Sequence, residues 1–356
     1  MYHGALVNTI VCRCDLGLLL LIAVMAGCHG TPRSQAPPPA TPTLADHHVH
    51  LLSPDLLRDW AAVGVTFSRA PSVYTTAEGL LTSSLDQALL VPMAHLYSSA
   101  WLREGLKLTE DQERECVQKE NDHVAREAGR YPGRAVAYCS VGLFRPYTWD
   151  EIRRCRETLG SPGIKLHFAS SGVDLRNEDH LAEIGRLFAW AEREKVPLLV
   201  HFDPQARGLE VEDVERFISR VLTPHEKLEI LIAHLGGSGG YGPWTQSVFR
   251  AFVSWLEEEA RQGRARPGVA FDLSAVILEE ESEGVPPTTP EEAAALAEDL
   301  RRAGLARVVF GSDYPVFDPQ RYLSLLQTTL RLSPEELETL RSHRLPVLAR
   351  LRRQPS

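Results

Sequence analysis

The sequence predicts a single (β/α)8 barrel, and three observations lead to this fold class. From residue 44 onward, an apolar run of strand length is followed by an amphipathic stretch of helical length, and this alternation occurs eight times. It is typical of parallel strands joined by crossover helices, and about 310 residues lie within the usual size range of such barrels. The alternative, an open doubly wound sheet, needs a glycine-rich phosphate turn after an early strand, and the sequence has none there.

The eight predicted strands follow one another at even intervals. They cover residues 44–50, 89–94, 134–141, 163–168, 197–202, 229–235, 268–273 and 307–312. Two of the later helices are predicted to begin at capping boxes with proline in the first helical position, at residues 289–292 and 333–336. Between the fourth and fifth strands a core-facing helical stripe is predicted, made of Leu181, Ile184, Leu187, Phe188 and Ala191.

Composition and charge point to a globular protein whose partner is not nucleic acid. Of the 356 residues, 44% are hydrophobic and 24% are charged, which is an ordinary globular balance. Asp and Glu number 47 against 38 Lys and Arg, so the formal charge is −9. The chain has no basic run of the kind that tracks a phosphate backbone, so nucleic acid is excluded as the expected partner.

The six cysteines do not form a disulfide framework. Three of them fall within the first 28 residues: Cys12, Cys14 and Cys28. The other three are Cys116, Cys139 and Cys155. This odd number argues against complete pairing.

The N-terminal segment predicts export and attachment to a membrane. The apolar run at residues 16–26 follows Arg13 and ends in small residues, as a secretory signal does, and it is too short to span a bilayer comfortably. The Met-Ala-Gly-Cys sequence at 25–28 resembles the lipobox of bacterial lipoproteins, which implies cleavage before Cys28 and a lipid on Cys28. The proline-rich residues that follow predict an extended tether.

We therefore predict a signal peptide at 1–27, a proline-rich tether at 28–43 and the barrel at 44–356. The expected location is the bacterial cell envelope, on the membrane. A plain cleaved signal, which would give a secreted or periplasmic protein, and an uncleaved anchor are the alternatives.

Side chains of metal-ligand type stand at the ends of four predicted strands, where barrels of this class carry their chemistry. The first strand ends in Asp-His-His-Val-His at 46–50, and because side chains alternate along a strand, His48 and His50 face one side. The fifth, sixth and eighth strands end in His201, His234 and Asp313. One histidine at a strand end is more often structural. The set predicts a metal site, since a catalytic zinc-type ion takes such ligands and keeps a position open for water.

Taken together, these motifs resemble the amidohydrolase superfamily, and within it the amidohydrolase-related group that includes the aminocarboxymuconate semialdehyde decarboxylase-like enzymes. The resemblance covers residues 44–350. It rests on His-Val-His at 48–50, Gly-Ile-Lys-Leu-His at 163–167, Val-His at 200–201, His-Leu-Gly-Gly at 234–237 and Gly-Ser-Asp-Tyr-Pro at 311–315. An Asn-Ala element common in the last helix of the family is replaced here by Ser-His-Arg-Leu-Pro at 342–346, a change that concerns local packing.

The resemblance implies that His48, His50, His201 and Asp313 hold one divalent ion, which we expect to be zinc, and that His234 stands beside it. It also implies a homodimer, the arrangement of many barrels of this type. A bound divalent ion lowers the pKa of its water to about 7 and polarises a carbonyl group. Asp313 would then accept a proton from the water, and His234 would stabilise the oxyanion.

Lys165 is the residue that decides between one and two bound metal ions in this family. In the binuclear branches of the superfamily, a lysine at the end of the fourth strand is carboxylated and bridges two metals, and Lys165 stands at that point. The alternative is a lysine that forms an ion pair near the barrel mouth. We expect one ion, because the Gly-x-Lys-Leu-His pattern resembles mononuclear enzymes. His167 shares the face of Lys165 and is a candidate substrate contact, while Asp272 and His95 are weaker candidates, as second-layer partners or substrate contacts.

The loops after the strands are expected to recognise the substrate. The candidates there are Arg145, Tyr147, Ser170, Ser171, Tyr241, Trp244 and Tyr314. Arg145 would either clamp a carboxylate or form a surface ion pair. The glycine run at 236–240 follows a strand that ends in histidine and lacks the Walker lysine, so it predicts a tight, mobile turn and no phosphate loop.

Three functions follow as hypotheses. The preferred one is a metal-dependent hydrolase that cleaves an amide, ester or lactone of a small molecule with a metal-activated water. The second is a lyase on the same scaffold, a decarboxylase or hydratase of an unsaturated carboxylic acid. The third is a non-catalytic binding lipoprotein, which would be expected to have lost at least one ligand.

Overall fold

The computed structural model of the chain describes residues 44–83, 85–203, 208–282 and 284–351. The predicted signal peptide, Cys28 and the tether lie outside these residues. No helix in the described ranges combines the length and the hydropathy needed to cross a membrane.

The described strands are all parallel and form a (β/α)8 barrel, as predicted. They are β1 (Ala45–Leu51), β2 (Gln87–Pro92), β3 (Ala135–Ala137), β4 (Cys139–Ser140), β5 (Ile164–His167), β6 (Leu198–His201), β7 (Ile230–Ile232), β8 (Val269–Asp272) and β9 (Val308–Val309). β3 and β4 are two parts of one barrel strand, because the Tyr138 N–H donates to Leu90 while the Cys139 N–H donates to Gly163. Backbone bonds from His47 to Phe310 (3.0 Å) and from His50 to Tyr314 (2.7 Å) close the barrel.

The crossover helices lie outside the strands. They are α1 (Pro54–Ala62), α2 (Pro71–Thr75), α3 (Glu78–Ser83), α4 (Ala100–Leu106), α5 (Glu110–Gly129), α6 (Thr148–Glu157), α7 (Glu178–Glu194), α8 (Val211–Phe217), α9 (Pro243–Arg261), α10 (Pro290–Ala303), α11 (Pro319–Thr329), α12 (Pro334–Ser342) and α13 (Pro346–Ala349). All five apolar residues of the predicted stripe in α7 are buried, which confirms its core-facing side. α10 and α12 begin at the predicted capping boxes, at Thr289 and Ser333.

Two predicted strands end three residues earlier than expected, the largest differences among the eight. β7 ends at Ile232 and β9 ends at Val309, so His234 and Asp313 lie in the turns that follow them. Both residues have left-handed backbone angles, with φ of 52° at His234 and 56° at Asp313. A left-handed residue cannot continue a strand, and these turns carry the two side chains across the barrel mouth.

The end of the barrel opposite the mouth is closed by the last described helix. Val347 and Leu348 of α13 pack against an interior cluster made of Ala45, Leu89, Val91, Tyr138, Leu199, Leu231, Ala233, Ala270 and Val309. The Leu345 N–H donates to His47 Nε2 (3.3 Å), and the His343 ring donates to the Val308 carbonyl (2.7 Å). The segment that departs from the family pattern therefore anchors this end of the barrel.

Cys139 of β4 and Cys155 of α6 form a disulfide, and Cys116 is free. The odd number of cysteines in the barrel is thus explained by one bridge and one thiol. The pairing itself was not predicted from the sequence.

A buried carboxylate supports the turn after β1. Glu120 of α5 is fully buried, and its Oε2 accepts the N–H of Ser53, the residue that caps α1 (2.9 Å). Its Oε1 has no partner within the described residues. Burial raises the pKa of Glu120 from 4.5 to about 7, although the bonds with Ser53 lower it in part.

The replacement Glu120→Gln tests this carboxyl. Its folded-state pKa is raised, so its contribution to stability is present below pH 4.5 and is lost as the pH rises through about 7. Glutamine does not titrate, so the unfolding free energy of the variant minus that of the wild type should grow between these pH values. The growth is at most about 1.4 kcal/mol for each pH unit. Urea unfolding at several pH values measures it, with the exposed Glu115→Gln on the same helix as control. A difference independent of pH would contradict the prediction.

Candidate metal centre

β1 brings two imidazole nitrogens together at its carboxyl end. His48 Nε2 and His50 Nε2 are 3.1 Å apart, and both rings are buried. Each Nδ1 lies 2.9 Å from an oxygen, Asp272 Oδ2 for His48 and the Val91 carbonyl for His50. A carbonyl or carboxylate oxygen only accepts, so we assign both protons to Nδ1. The two Nε2 atoms therefore present lone pairs to each other.

Two facing lone pairs repel unless a cation lies beside them. His48 does not supply the charge itself, because burial and the nearby charge of Lys165 lower its pKa to about 3. The Nζ of Lys165 lies 3.3 Å from His48 Nε2. This donor set therefore fits a bound cation.

Asp313 adds a carboxylate to the pair. Its Oδ1 lies 3.3 Å from His50 Nε2 and 3.8 Å from His48 Nε2, and its N–H donates to the His48 carbonyl (2.9 Å). Burial works to raise the pKa of Asp313, but the bond with His50 and the favourable electrostatic interaction with the neighbouring imidazoles hold it well below its ordinary value. Asp46 supports the arrangement by accepting the backbone N–H groups of both His48 (3.0 Å) and Ser312 (3.1 Å).

Three of the four predicted ligands thus converge. The ligand atoms of His48, His50 and Asp313 lie within 4.8 Å of one another, and His201 falls outside this group. The His201 ring lies at the end of β6, 4.5 Å from the His234 ring between centroids. Its Nε2 is buried and has no hydrogen-bond partner among the described residues. An unsatisfied buried nitrogen requires a partner, and a divalent ion fits the chemistry of this donor set.

A second group, His48, His234 and Asp272, also lies within 4.8 Å. Its ligand atoms are already bonded to one another or to their neighbours. Asp272 Oδ1 accepts the backbone N–H groups of His234 (2.9 Å) and Ser274 (3.1 Å) and the Ser274 hydroxyl, while Oδ2 accepts from His48. Burial works to raise the pKa of Asp272, but the electrostatic interaction with His48 and the hydrogen bond from its Nδ1 keep it below its ordinary value. We conclude that the hydrogen bonds of this group orient the proposed metal ligands.

His234 lies beside the predicted ligands with a defined proton. Its Nδ1 donates to the Ser274 carbonyl (2.8 Å), so a neutral His234 ring offers its Nε2 as an acceptor. The turn that holds it is tight, because a Cβ added at Gly237 would lie 2.3 Å from Thr245 Oγ1. The glycine run thus lets the chain pass close to α9.

Lys165 and His167 both lie on β5. Lys165 is buried, and it forms no ion pair within 4.0 Å with a carboxylate among the described residues. Burial lowers the pKa of Lys165 to about 8, opposed by the charges of Asp272 and Asp313. His167 stacks on the His201 ring at 4.1 Å between centroids.

A cavity of about 990 Å³ lies over the carboxyl ends of the strands. Its lining includes Trp101, Arg103, Phe144, Arg145, Ser170 and Ser171. A smaller apolar groove of about 530 Å³ lies at the opposite end of the barrel, near Leu198 and Pro346, away from the histidines.

Several loop residues expected to contact substrate are engaged by the protein. Arg145 forms two bonds of 2.7 Å with the buried carboxylate of Glu113, which also accepts the Tyr147 hydroxyl. The Tyr241 hydroxyl donates to Asp299, and the Tyr314 hydroxyl donates to the Val73 carbonyl. Arg145 is therefore an ion-paired residue on the cavity wall.

Sequence reasoning missed two serines of the site. Ser274 contacts His48, His234 and Asp272, and Ser140 contacts His95. The position of Ser274, two residues after Asp272 at a strand end, was the one signal that could have indicated it.

The replacement Asp272→Asn tests the support behind the ligands. Asparagine can turn an N–H₂ donor toward His48 Nδ1, which would move the ring proton to Nε2 and remove a lone pair from the site. We expect the affinity for a divalent ion to fall about 10- to 100-fold. Competition with a chromophoric chelator measures the affinity. Asp299→Asn is the control, because this buried carboxylate bonds Tyr241 and Arg250 outside the site. Equal affinities in both variants would contradict the prediction.

Comparison with solved structures shows the same fold. The chain is similar to 2,6-dihydroxybenzoate decarboxylase complexed with 2,6-dihydroxybenzoate (TM-score 0.57, 14% identity, 88% of this chain and 100% of that chain). It is similar to a dihydroxybenzoic acid decarboxylase from Polaromonas sp. JS666 with bound manganese and the inhibitor 2-nitroresorcinol (TM-score 0.55, 12% identity, 85% of this chain and 95% of that chain). It is also similar to a proposed 2-pyrone-4,6-dicarboxylic acid hydrolase from Pseudomonas putida (TM-score 0.50, 18% identity, 84% of this chain and 94% of that chain). At these identities the likeness concerns the fold alone.

A search of curated proteins found no match. The amidohydrolase family profile matches residues 45–343, most of the barrel. The chain therefore belongs to the amidohydrolase family, whose enzymes are metal-dependent.

Proposed function

We propose that the protein is a metal-dependent hydrolase that cleaves an amide, ester or lactone bond of a small molecule. The observation that carries the proposal is the pair of Nε2 lone pairs on His48 and His50 facing each other beside the carboxylate of Asp313. One divalent ion, zinc in our proposal, would be held by these three residues and His201. It would supply a water of lowered pKa and polarise the carbonyl group that is attacked.

The residues of the chain have separate tasks in this proposal. Asp313 is an ionised acceptor, so it takes the proton of the attacking water and returns it to the leaving group. Because His234 Nδ1 donates to the Ser274 carbonyl, His234 would stabilise a developing oxyanion only through an N–H at Nε2. Lys165 holds its charge beside His48, where it favours a negatively charged transition state.

A lyase is the second candidate, and the decarboxylases among the similar structures favour it. A decarboxylase must hold a substrate carboxylate. Arg145, the sequence-based candidate for this task, is already neutralised by Glu113. This pairing withdraws Arg145 as support for the lyase, and the assays described below decide between the two reactions.

Metal analysis of the full-length protein, purified without chelator, tests the proposal first. We expect about one divalent ion per chain, and loss of the ion in His48→Gln, because the variant removes one of the facing lone pairs. His123→Gln is the matched control, since His123 lies on α5 and bonds the Thr75 carbonyl. The same preparations are then assayed with amides, esters and lactones, and with unsaturated carboxylic acids for release of carbon dioxide.

The outcomes separate the hypotheses. Metal-dependent hydrolysis supports the hydrolase, and metal-dependent release of carbon dioxide supports the lyase. About two ions per chain would indicate that Lys165 is carboxylated and bridges them. No ion after reconstitution would overturn both enzyme proposals and leave the binding lipoprotein.

We further propose that the protein is exported and anchored to a membrane by a lipid on Cys28. The lipobox-like sequence at 25–28 supports this, and so does the disulfide between Cys139 and Cys155, since disulfides persist mainly outside the cytoplasm.

The replacement Cys28→Ser tests the anchor. In a bacterial host, the wild-type chain should sediment with membranes and be released by detergent, because acyl chains insert in the bilayer. The variant should lose lipid labelling, which labelled fatty acid measures. Cys116→Ser controls for loss of a thiol. Equal labelling of wild type and Cys28→Ser would contradict the anchor.

A further inference from the structure

Three imidazole rings form a stacked column beside the candidate metal ligands. His95, His167 and His201 stack in that order, with ring centroids 4.8 Å and 4.1 Å apart and planes 22° apart in both pairs. His201 is one of the proposed ligands. His95 and His167 have no task in the mechanism above.

The structure defines the ring proton of His167. The backbone N–H of Ser170 donates to His167 Nδ1 (3.2 Å). A nitrogen that accepts a hydrogen bond cannot carry a proton, so the proton of this ring is on Nε2. His167 therefore offers a donor at Nε2.

The ring proton of His95 is also assigned to Nε2. Its Nδ1 lies 2.6 Å from Ser140 Oγ, and this oxygen also accepts the backbone N–H of His95 (3.3 Å). Among the described residues His95 Nδ1 is the acceptor for the hydroxyl proton of Ser140, so we assign the ring proton of His95 to Nε2. Asn121 holds Ser140 in place by bonding both its N–H (2.9 Å) and its carbonyl (3.1 Å).

The His95 donor has no acceptor in the described part of the chain. Its ring is fully buried, and Nε2 has no hydrogen-bond partner there. A buried N–H without an acceptor destabilises a fold, because it has lost its hydrogen bond to water and gained none in return. The His95 ring stacks on His167, which stacks on the proposed ligand His201, so its donor belongs to the same site.

We propose that His95 and His167 form a donor pair that binds an oxygen atom of the substrate, in a carboxylate or a carbonyl group, next to the metal centre. The pair offers two N–H donors and no acceptor, so it selects oxygen acceptors and discriminates against an ammonium group. The nearby Lys165 adds positive charge. The proposal deepens the proposed function by naming what the substrate must carry, and it rests on that function.

Long-range ¹H–¹⁵N spectra of the full-length protein labelled in histidine test the proton positions, with and without zinc. We expect both His95 and His167 to show the Nε2–H tautomer. In Ser140→Ala, the His95 ring loses the donor to its Nδ1, so its tautomer should shift while the fold is kept. An Nδ1–H tautomer at His95 in the wild type would overturn the donor pair.

Titration of the zinc-loaded protein with acetate and with acetamide tests binding. His95→Phe keeps the ring and removes the donor, and we expect it to weaken acetate binding about tenfold or more. His95→Gln carries an amide N–H near the position of Nε2 and should restore most of the affinity. His225→Phe is the matched control, because His225 lies beside Glu192 outside the site, and its affinity should match that of the wild type.

The two probes distinguish the source of the oxygen. If only acetate binds more weakly to His95→Phe than to the wild type, the donor pair recognises a carboxylate. If acetamide binding is weakened as well, the pair recognises a carbonyl oxygen. Equal acetate affinity in the wild type and His95→Phe would mean that acetate binds only elsewhere, which overturns the proposal. Zinc content is measured on the same samples, so a failure of the metal site is distinguished from a failure of the donor pair.

Discussion

The bond between Asp272 and His48 is the interaction on which the rest of the site depends. Asp272 is a fully buried carboxylate that accepts a ring N–H from β1, a backbone N–H from the turn after β7, and two donors of Ser274. A buried charge is tolerated only where donors surround it, so its position is determined by all of these groups at once. Because His48 donates from Nδ1, its Nε2 must face His50 with a lone pair.

The barrel makes this bond feasible. Neighbouring parallel strands bring their carboxyl ends to one rim, so β1 and the β7, β8 and β9 segments can meet although they are far apart in sequence. Asp46 joins the backbone of β1 to the turn after β9 through His48 and Ser312, as Asp272 joins β1 to the turn after β7. Asp46 and Asp272 therefore hold the turns that carry His234 and Asp313 in position relative to β1.

The order of the fold could be predicted from the sequence because it depends on periodicity, which is local. The positions of His48 and His50 followed from the alternation of a single strand. The turns that carry His234 and Asp313 could not be predicted, since left-handed angles at residues other than glycine are imposed by tertiary bonds such as that from Asp313 to the His48 carbonyl. The partner of Arg145 was hidden for a similar reason, because Glu113 lies 32 residues earlier, on α5.

The proton positions of the histidines divide the site by chemistry. His48 and His50 hold their protons on Nδ1, so their lone pairs face the position proposed for the ion. We assign the ring protons of His95 and His167 to Nε2, with the Ser140 hydroxyl and the Ser170 backbone N–H as donors to Nδ1. One residue type thus provides acceptors on one side and donors on the other. The acceptor side is satisfied by a cation, and the donor side is satisfied by an oxygen atom. A bound ion and a carbonyl or carboxylate group of the substrate together supply both.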